Sequence, residues 1–277
     1  MPRCLPPWQG SVCADAFLLN ESVCDSLCPF YNGIMHVDKL MPTDLTTWPL
    51  LAIPLMLAAF LALAGNVASA NPEGFRMKTI RLPEPISDSH FSLERALKQR
   101  RSVRNFSGAA ITLNEIAQLL WSAQGITSPD GLRTAPSAGA LYPLEITLAA
   151  GNVTGLDPGV YRYDPSGHVL TPVSEGDRRS ELARAALGQL WMQTAAAVIV
   201  FGAVEERTTR KYGNRGISYI YIEVGHSAQN VCLQSQTLGL GAAAVGAFDD
   251  ARIASILQMP KEERPLYLMP VGKPLPP

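Results

Sequence analysis

The chain has 277 residues, 47% of them apolar and 17% charged, with 24 acidic side chains against 23 Lys and Arg. That apolar content excludes a mostly disordered chain, and a net charge of −1 leaves no basic footprint for a nucleic-acid partner. Only one uninterrupted apolar stretch is long enough to cross a bilayer, which excludes a polytopic membrane protein.

The first forty residues show no sustained periodicity. Four of the five cysteines, Cys4, Cys13, Cys24 and Cys28, fall here, and the fifth is Cys232. Their spacing fits no familiar zinc finger, and no paired His follows. A metal site, a disulfide set and an over-long translated start with Met35 or Met41 as initiator are the available readings. The last is favoured, so residues 1–40 are expected to be unstructured or not native to the protein. Residues 41–70 hold the charge-free run Trp48 to Gly65, followed by Ala68-Ser69-Ala70 before the polar Asn71. The small residues at 68 and 70 match a signal-peptidase site, which points to export to the periplasm. The segment ahead of the run is not basic, and Arg76, Lys78 and Arg81 follow it. Positive charge stays on the cytoplasmic side, so an uncleaved membrane anchor with a cytoplasmic body remains the alternative.

Residues 71–89 read as a linker, and 90–277 as one domain. Residues 71–277 carry 21 basic and 19 acidic side chains. Ser92 to Gln99 predicts a short helix running into Arg100-Arg101-Ser102-Val103-Arg104, whose three arginines it would hold within one turn. Thr112 to Ala123 predicts a better one. Thr112 and Glu115 form a capping box, Leu113, Ile116, Leu119, Leu120 and Ala123 share a face, and Gly125 ends it. Residues 126–143 read as a loop. Glu145–Ala149 and Gly159–Tyr163 predict strands, and the turn Asp164-Pro165-Ser166-Gly167 returns the chain along His168–Thr171. Ser180–Leu190 predicts a helix, Ala195–Phe201 a buried strand, and Tyr219–Leu238 a long, mostly buried helix. Ala242–Val245 and Leu266–Val271 read as strands around a small helix at Ala251–Leu257. Hairpin-type strands mixed with helices predict an α+β fold.

Five segments hold chemistry-bearing residues. Arg100, Arg101 and Arg104 with Ser102 suit a phosphate, because guanidinium forks donate bidentate hydrogen bonds to its oxygens; a solvated helix end is the plainer reading. Residues 135–140 are nearly all Ala, Gly or Ser, and such a backbone can lie against a flat ring or simply make a compact turn. Gly239 to Gly246 is glycine-rich but follows a helix and enters a strand, the reverse of a dinucleotide fingerprint. Lys211-Tyr212, flanked by Arg210 and Arg215, pairs a phenol with cations that favour its anion; a solvated polar loop is the alternative. Glu223 and His226, three apart, share a helix face and read as a buried polar network at a subunit contact. No Ser/His/Asp or Cys/His set stands out, and no metal-ligand set.

Read in order, RRSVRNF at 100–106, PSAGALYP at 136–143, EVGHSAQN at 223–230 and VGKP at 271–274 resemble the nitroreductase-like FMN flavoproteins, in the SagB-type branch of thiazoline/oxazoline dehydrogenases. The resemblance implies a three-layer α-β-α sandwich with a central mixed, mainly antiparallel sheet and an FMN site at a homodimer interface. It implies Arg100, Arg101, Ser102 and Arg104 around the FMN phosphate and ribityl chain, with Lys273 nearby. It sets Pro136, Ser137, Ala138, Gly139, Ala140 and Leu141 against the isoalloxazine, and Val245-Gly246 near flavin N5. It makes Tyr212 the catalytic base and Lys211 its electrostatic partner.

The expected function is hydride transfer between flavin N5 and a small or peptide-derived substrate. The electron partner would be NAD(P)H for a cytoplasmic body, and oxygen or a quinone for an exported one. A non-catalytic flavin-binding partner protein is the alternative.

Overall fold

The computed structural model describes residues 78–276. The readings made for residues 1–40 and for the leader at 41–70, and the first part of the linker, lie outside the described residues.

The centre is β7 (Ala197–Val204), AVIVFGAV, whose side chains are buried from Ala197 to Ala203. An apolar run without polar alternation needs cover on both sides. β7 has it: Ile199, Phe201 and Ala203 join one core, while Val198 and Val200 join another. Each such fully buried side chain contributes about 1.5–3 kcal/mol relative to exposure.

Flanking β7 are β3 (Leu144–Ala150) and β9 (Glu263–Gly272). Beyond β3 come β5 (Gly159–Asp164), β6 (Val169–Glu175) and the short β1 (Ile80–Arg81). Beyond β9 lies β8 (Gly241–Ala242). The order is β1-β6-β5-β3-β7-β9-β8, and every neighbouring pair is antiparallel. The mainly antiparallel sheet expected is observed. Parallel pairing is confined to the separate pair β2 (Ile111–Thr112) and β4 (Val153–Thr154) and to an isolated Ser102–Ala242 bridge on the β8 edge.

α1 (Leu93–Gln99) starts at Ser92, whose hydroxyl accepts from the Arg95 N–H. α2 (Leu113–Gln124) carries the expected capping box: Thr112 accepts from the Glu115 N–H, and the Glu115 carboxylate accepts from the Thr112 N–H. α2 packs on α5 (Arg215–Thr237), and the two cover the face of Ile199 and Phe201. α3 (Arg179–Ala185) and α6 (Asp250–Ile256) cover the opposite face with Leu182 and Ile253. Three layers result, as expected from the family resemblance.

Two helices differ from expectation. The one expected over Ser180–Leu190 stops at Ala185, because Leu187 and Gly188 take positive φ of 55° and 75° and turn the chain. α5 begins at Arg215, four residues early, and is less buried than its apolar content suggested: Tyr221 and Ile222 are 46% and 51% exposed. The strand expected over Ala242–Val245 pairs regularly only at 241–242 and touches β9 again at Val245.

Candidate functional site

The arginine segment sits on the β8 edge. α1 ends at Gln99, with Arg100 as its C-cap in extended conformation (φ −52°, ψ 126°). The three arginines therefore do not share a helical turn as expected. Beyond Gln99 the backbone is not helical: Ser102 bridges Ala242 and the Val103 N–H donates to the Ala242 carbonyl at 3.0 Å. Within residues 100–104 only Ser102 bridges a strand, so the segment has no regular alternation of sides. Arg101 turns back on α1, donating to the carbonyls of Lys98 and Arg100. Arg104 lies over the Trp191 ring at 5.9 Å. Lys273 follows β9 directly, and its carbonyl accepts from the Ser107 N–H at 2.9 Å, so its exposed side chain belongs to the same end of the sheet.

Val245-Gly246 leads away from β9. The Val245 N–H donates to the Leu268 carbonyl at 2.8 Å, which removes it as a donor to any ligand. Gly246 is exposed, and among the described residues nothing accepts from its N–H. The expected backbone donor is thus Gly246 alone.

The small-residue loop lies at the opposite end of the sheet, just before Leu144. It contains a 3-10 turn at Ala138–Ala140. Gly139, Ala140 and Tyr142 all have positive φ, of 65°, 53° and 45°. Left-handed conformations at non-glycine residues cost of order 1 kcal/mol each and persist where surroundings enforce them. The enforcement is visible. The Tyr142 N–H donates to the Ser137 hydroxyl at 2.9 Å, its ring lies 4.4 Å under Arg133, and its carbonyl accepts from Arg207 at 3.1 Å. Arg207 in turn pairs with Glu145 at 2.5 Å.

Arg207 belongs to α4 (Glu206–Tyr212), which ends in Lys211-Tyr212. The pair is therefore the last turn of a helix and not a polar loop. The Lys211 Nζ stands 5.3 Å from the Tyr212 ring centre, and Tyr219 packs edge-on against Tyr212 at 5.1 Å. A Cβ at Gly139 would lie 2.7 Å from the Tyr212 hydroxyl and 3.0 Å from the Lys211 Nζ. Two segments that seemed unrelated in sequence thus meet: the small-residue backbone faces the phenol and the ammonium.

Below the loop is α5. Glu223 is buried, its Oε1 has no partner among the described residues, and its pKa is pushed up to about 7 by desolvation, against the opposing pull of Ser137 and Arg133. Ser227 donates to the Ala123 carbonyl at 2.6 Å, and Asn230 to the Thr134 carbonyl at 3.1 Å. The satisfied polar network expected around Glu223 and His226 is not formed: Glu223 Oε1 is unpartnered among the described residues, His226 is exposed, and the buried bonds on this helix are those of Ser227 and Asn230. Sequence reasoning missed the clamp of Arg133, Arg207 and Glu145. Glu145 and Arg207 are neighbours only because β3 pairs with β7, and no local pattern announces that.

A helix-covered antiparallel sheet with these two residue sets defines the class of protein. The sequence profile of the Nitroreductase family matches residues 97–273, and the chain belongs to that family. It is 45% identical over 194 residues to the nitroreductase MJ1384 of Methanocaldococcus jannaschii, covering 70% of this chain and 96% of that protein. It is 30% identical over 183 residues to the microcin B17-processing protein McbC of Escherichia coli, covering 63% of this chain and 65% of McbC. A nitroreductase structure from Ralstonia eutropha superimposes with a TM-score of 0.65 at 28% identity, over 74% of this chain and 93% of that one.

Proposed function

We propose that the protein is an FMN-dependent oxidoreductase of the SagB-type dehydrogenase/nitroreductase kind, working as a homodimer. The observation that carries the reading is the meeting of Gly139 with Lys211 and Tyr212. It leaves a backbone surface without side chains beside a general-base candidate.

The residues fit FMN. Arg100, Ser102 and Arg104 on the segment beside β8, with Lys273 at the same end of the sheet, offer charged and hydroxyl donors to a phosphate. Each charge-assisted hydrogen bond there is worth about 1.5–3 kcal/mol net. Pro136 to Leu141 supplies small side chains for one face of the ring, and Gly246 supplies a free N–H. Bound flavin would supply hydride acceptance and donation. The protein's part is to hold a substrate over the ring and to move a proton at the Tyr212 hydroxyl, with Lys211 stabilising the phenolate.

The layout supports a composite site. The arginine segment, Lys273 and β8 lie at the Ala197/Val271 end of β7 and β9. The loop and α4 lie at the other end, where Leu144 pairs with Ala203. Eight residues of strand separate the two ends, about 23 Å. One chain presents the phosphate end of one site and the ring end of another, and a second copy closes both.

The test is spectroscopic and kinetic. The purified protein should be yellow, bleach with dithionite and turn over with an electron donor and an acceptor, and Tyr212→Phe should keep the colour and lose the rate. A colourless protein that FMN cannot reconstitute refutes the reading, and a yellow protein with no turnover across a panel of NAD(P)H, quinones, oxygen, nitroaromatics and azolines favours the non-catalytic alternative. Export remains part of the proposal: amino-terminal sequencing of the cell-associated protein should give a start at Asn71, and an intact apolar run would establish the anchor instead.

A further inference from the structure

Beneath the loop, at the same end of the sheet, is a cavity of about 350 Å³. It is separate from every residue assigned above to FMN. Its wall brings together guanidinium groups from three elements: Arg133 from the loop, Arg162 from β5 and Arg207 from α4. Their pairing is unequal. Arg162 pairs with Glu263, whose carboxylate is wedged against Gly202, and stands 3.8 Å from Glu145. Arg207 pairs with Glu145. Arg133 forms no ion pair with any described residue. One of its nitrogens donates to Gln124 Oε1 at 3.0 Å, and its guanidinium carbon lies 4.4 Å from the centre of the Tyr142 ring.

Arg133 is therefore a partly buried cation with donors to spare, facing open volume. Desolvation is the leading influence on it and lowers its pKa; Glu145 and Glu223 act on it only from beyond ion-pair distance. The mouth of the cavity is formed by the turn at Asp164–Ser166 and by Thr171. Asp164 accepts from the Ser166 N–H and stays with the turn. The wall as a whole carries Glu145 and Asp164 as well as the arginines, so a dianion would meet repulsion while a monoanion meets one uncompensated guanidinium.

We propose that this cavity is a second binding site, specific for a small carboxylate held by the planar fork of Arg133. The geometry of that fork matches the two oxygens of a carboxylate. A carboxylate seated there also reports to the reaction centre. Arg133 rests on Tyr142, and Tyr142 is held by Arg207 of the helix that carries Lys211-Tyr212. Occupancy would stiffen the loop from behind.

The proposal does not depend on the flavin reading, and its test is made on the protein as purified, with any flavin left in place. Propionate, inorganic phosphate and chloride are compared at equal ionic strength by thermal unfolding and titration calorimetry. Propionate should stabilise the protein and bind, chloride should be inert, and phosphate should not displace propionate. Arg133→Gln should weaken propionate by about tenfold or more. Ser166→Trp, on the exposed turn at the mouth, should block binding while leaving unfolding in buffer unchanged, and it decides the matter if Arg133→Gln fails to fold. Absence of propionate binding, binding untouched by Ser166→Trp or by a folded Arg133→Gln, or displacement of propionate by phosphate each overturns the proposal. A colourless protein that FMN cannot reconstitute but that binds propionate through Arg133 would refute the flavin reading and leave this one standing.

Discussion

Gly139 and Tyr212 are 73 positions apart in sequence, yet a single methyl group on Gly139 would press to within 2.7 Å of the Tyr212 hydroxyl. The contact joins a loop with no regular strand or α-helix to the end of a helix. It fixes what each can be: the loop must lack side chains where the phenol approaches.

Gly139→Ala should therefore fail twice over. Its φ of 65° is strained for any side chain, and the added methyl displaces the phenol. The expected result is a stability loss of about 1 kcal/mol or more with a fall in turnover. Urea unfolding and steady-state rates measure the two separately.

Tyr212→Phe removes the proton-handling group and keeps the ring that packs on Tyr219. Turnover should fall by roughly 100-fold or more with flavin content unchanged. Lys211→Met should act in the same direction, since it removes the charge beside the ring. A full-rate Tyr212→Phe enzyme would exclude the phenol from proton transfer.

Arg100→Ala and Arg104→Ala should each weaken FMN by roughly 10- to 100-fold, the loss of one charge-assisted contact. Arg101→Ala should do much less, because its guanidinium is engaged with the carbonyls of Lys98 and Arg100. Fluorescence titration of FMN into the stripped variants ranks them. Equal losses at all three would show that these carbonyl contacts do not withhold Arg101 from the phosphate.

Glu223 gives a pH signature. Its carboxyl ionises near pH 7 in the folded chain, against about 4.5 ordinarily. Between those values the folded state holds a proton that the unfolded chain has released, so this group makes stability fall as pH rises from about 4.5 to about 7, and the penalty is then constant. Glu223→Gln should remove that slope and stabilise the protein at pH 8 by on the order of 1–2 kcal/mol. Denaturant midpoints for both proteins across pH 4.5 to 8 test this.

Thr112→Ala removes the hydroxyl that accepts from the Glu115 N–H and leaves the bond from the residue-112 N–H to the Glu115 carboxylate. It should cost about 1 kcal/mol and lower the melting temperature by about 2–4 °C, with no effect on flavin binding.

Much of this fold was legible in the sequence, and the reasons are local. The capping box at Thr112 and Glu115, the apolar run of β7 and the Asp164–Gly167 turn each act within a few residues. The failures are equally physical. Leu187 carries no mark of the left-handed turn that ends α3 early. The arginine segment has helix-compatible composition, and only its place beside Ala242 makes it extended. The turn Val245-Gly246 was expected near flavin N5 with no choice between its two N–H groups, and the commitment of Val245 to Leu268 needs the β9 partner to be seen. In the candidate site the residue types were readable from motif likeness. The union of Gly139 with Tyr212, and of Arg207 with Glu145, depends on strand pairing across the sheet.

The length of β7 has a genetic consequence. A chain damaged at Arg100 and a chain damaged at Tyr212 are wounded in different halves of the proposed centre. Co-expressed, they should assemble mixed pairs in which one centre inherits both lesions and the other inherits none, so two dead alleles together restore part of the activity that neither has alone.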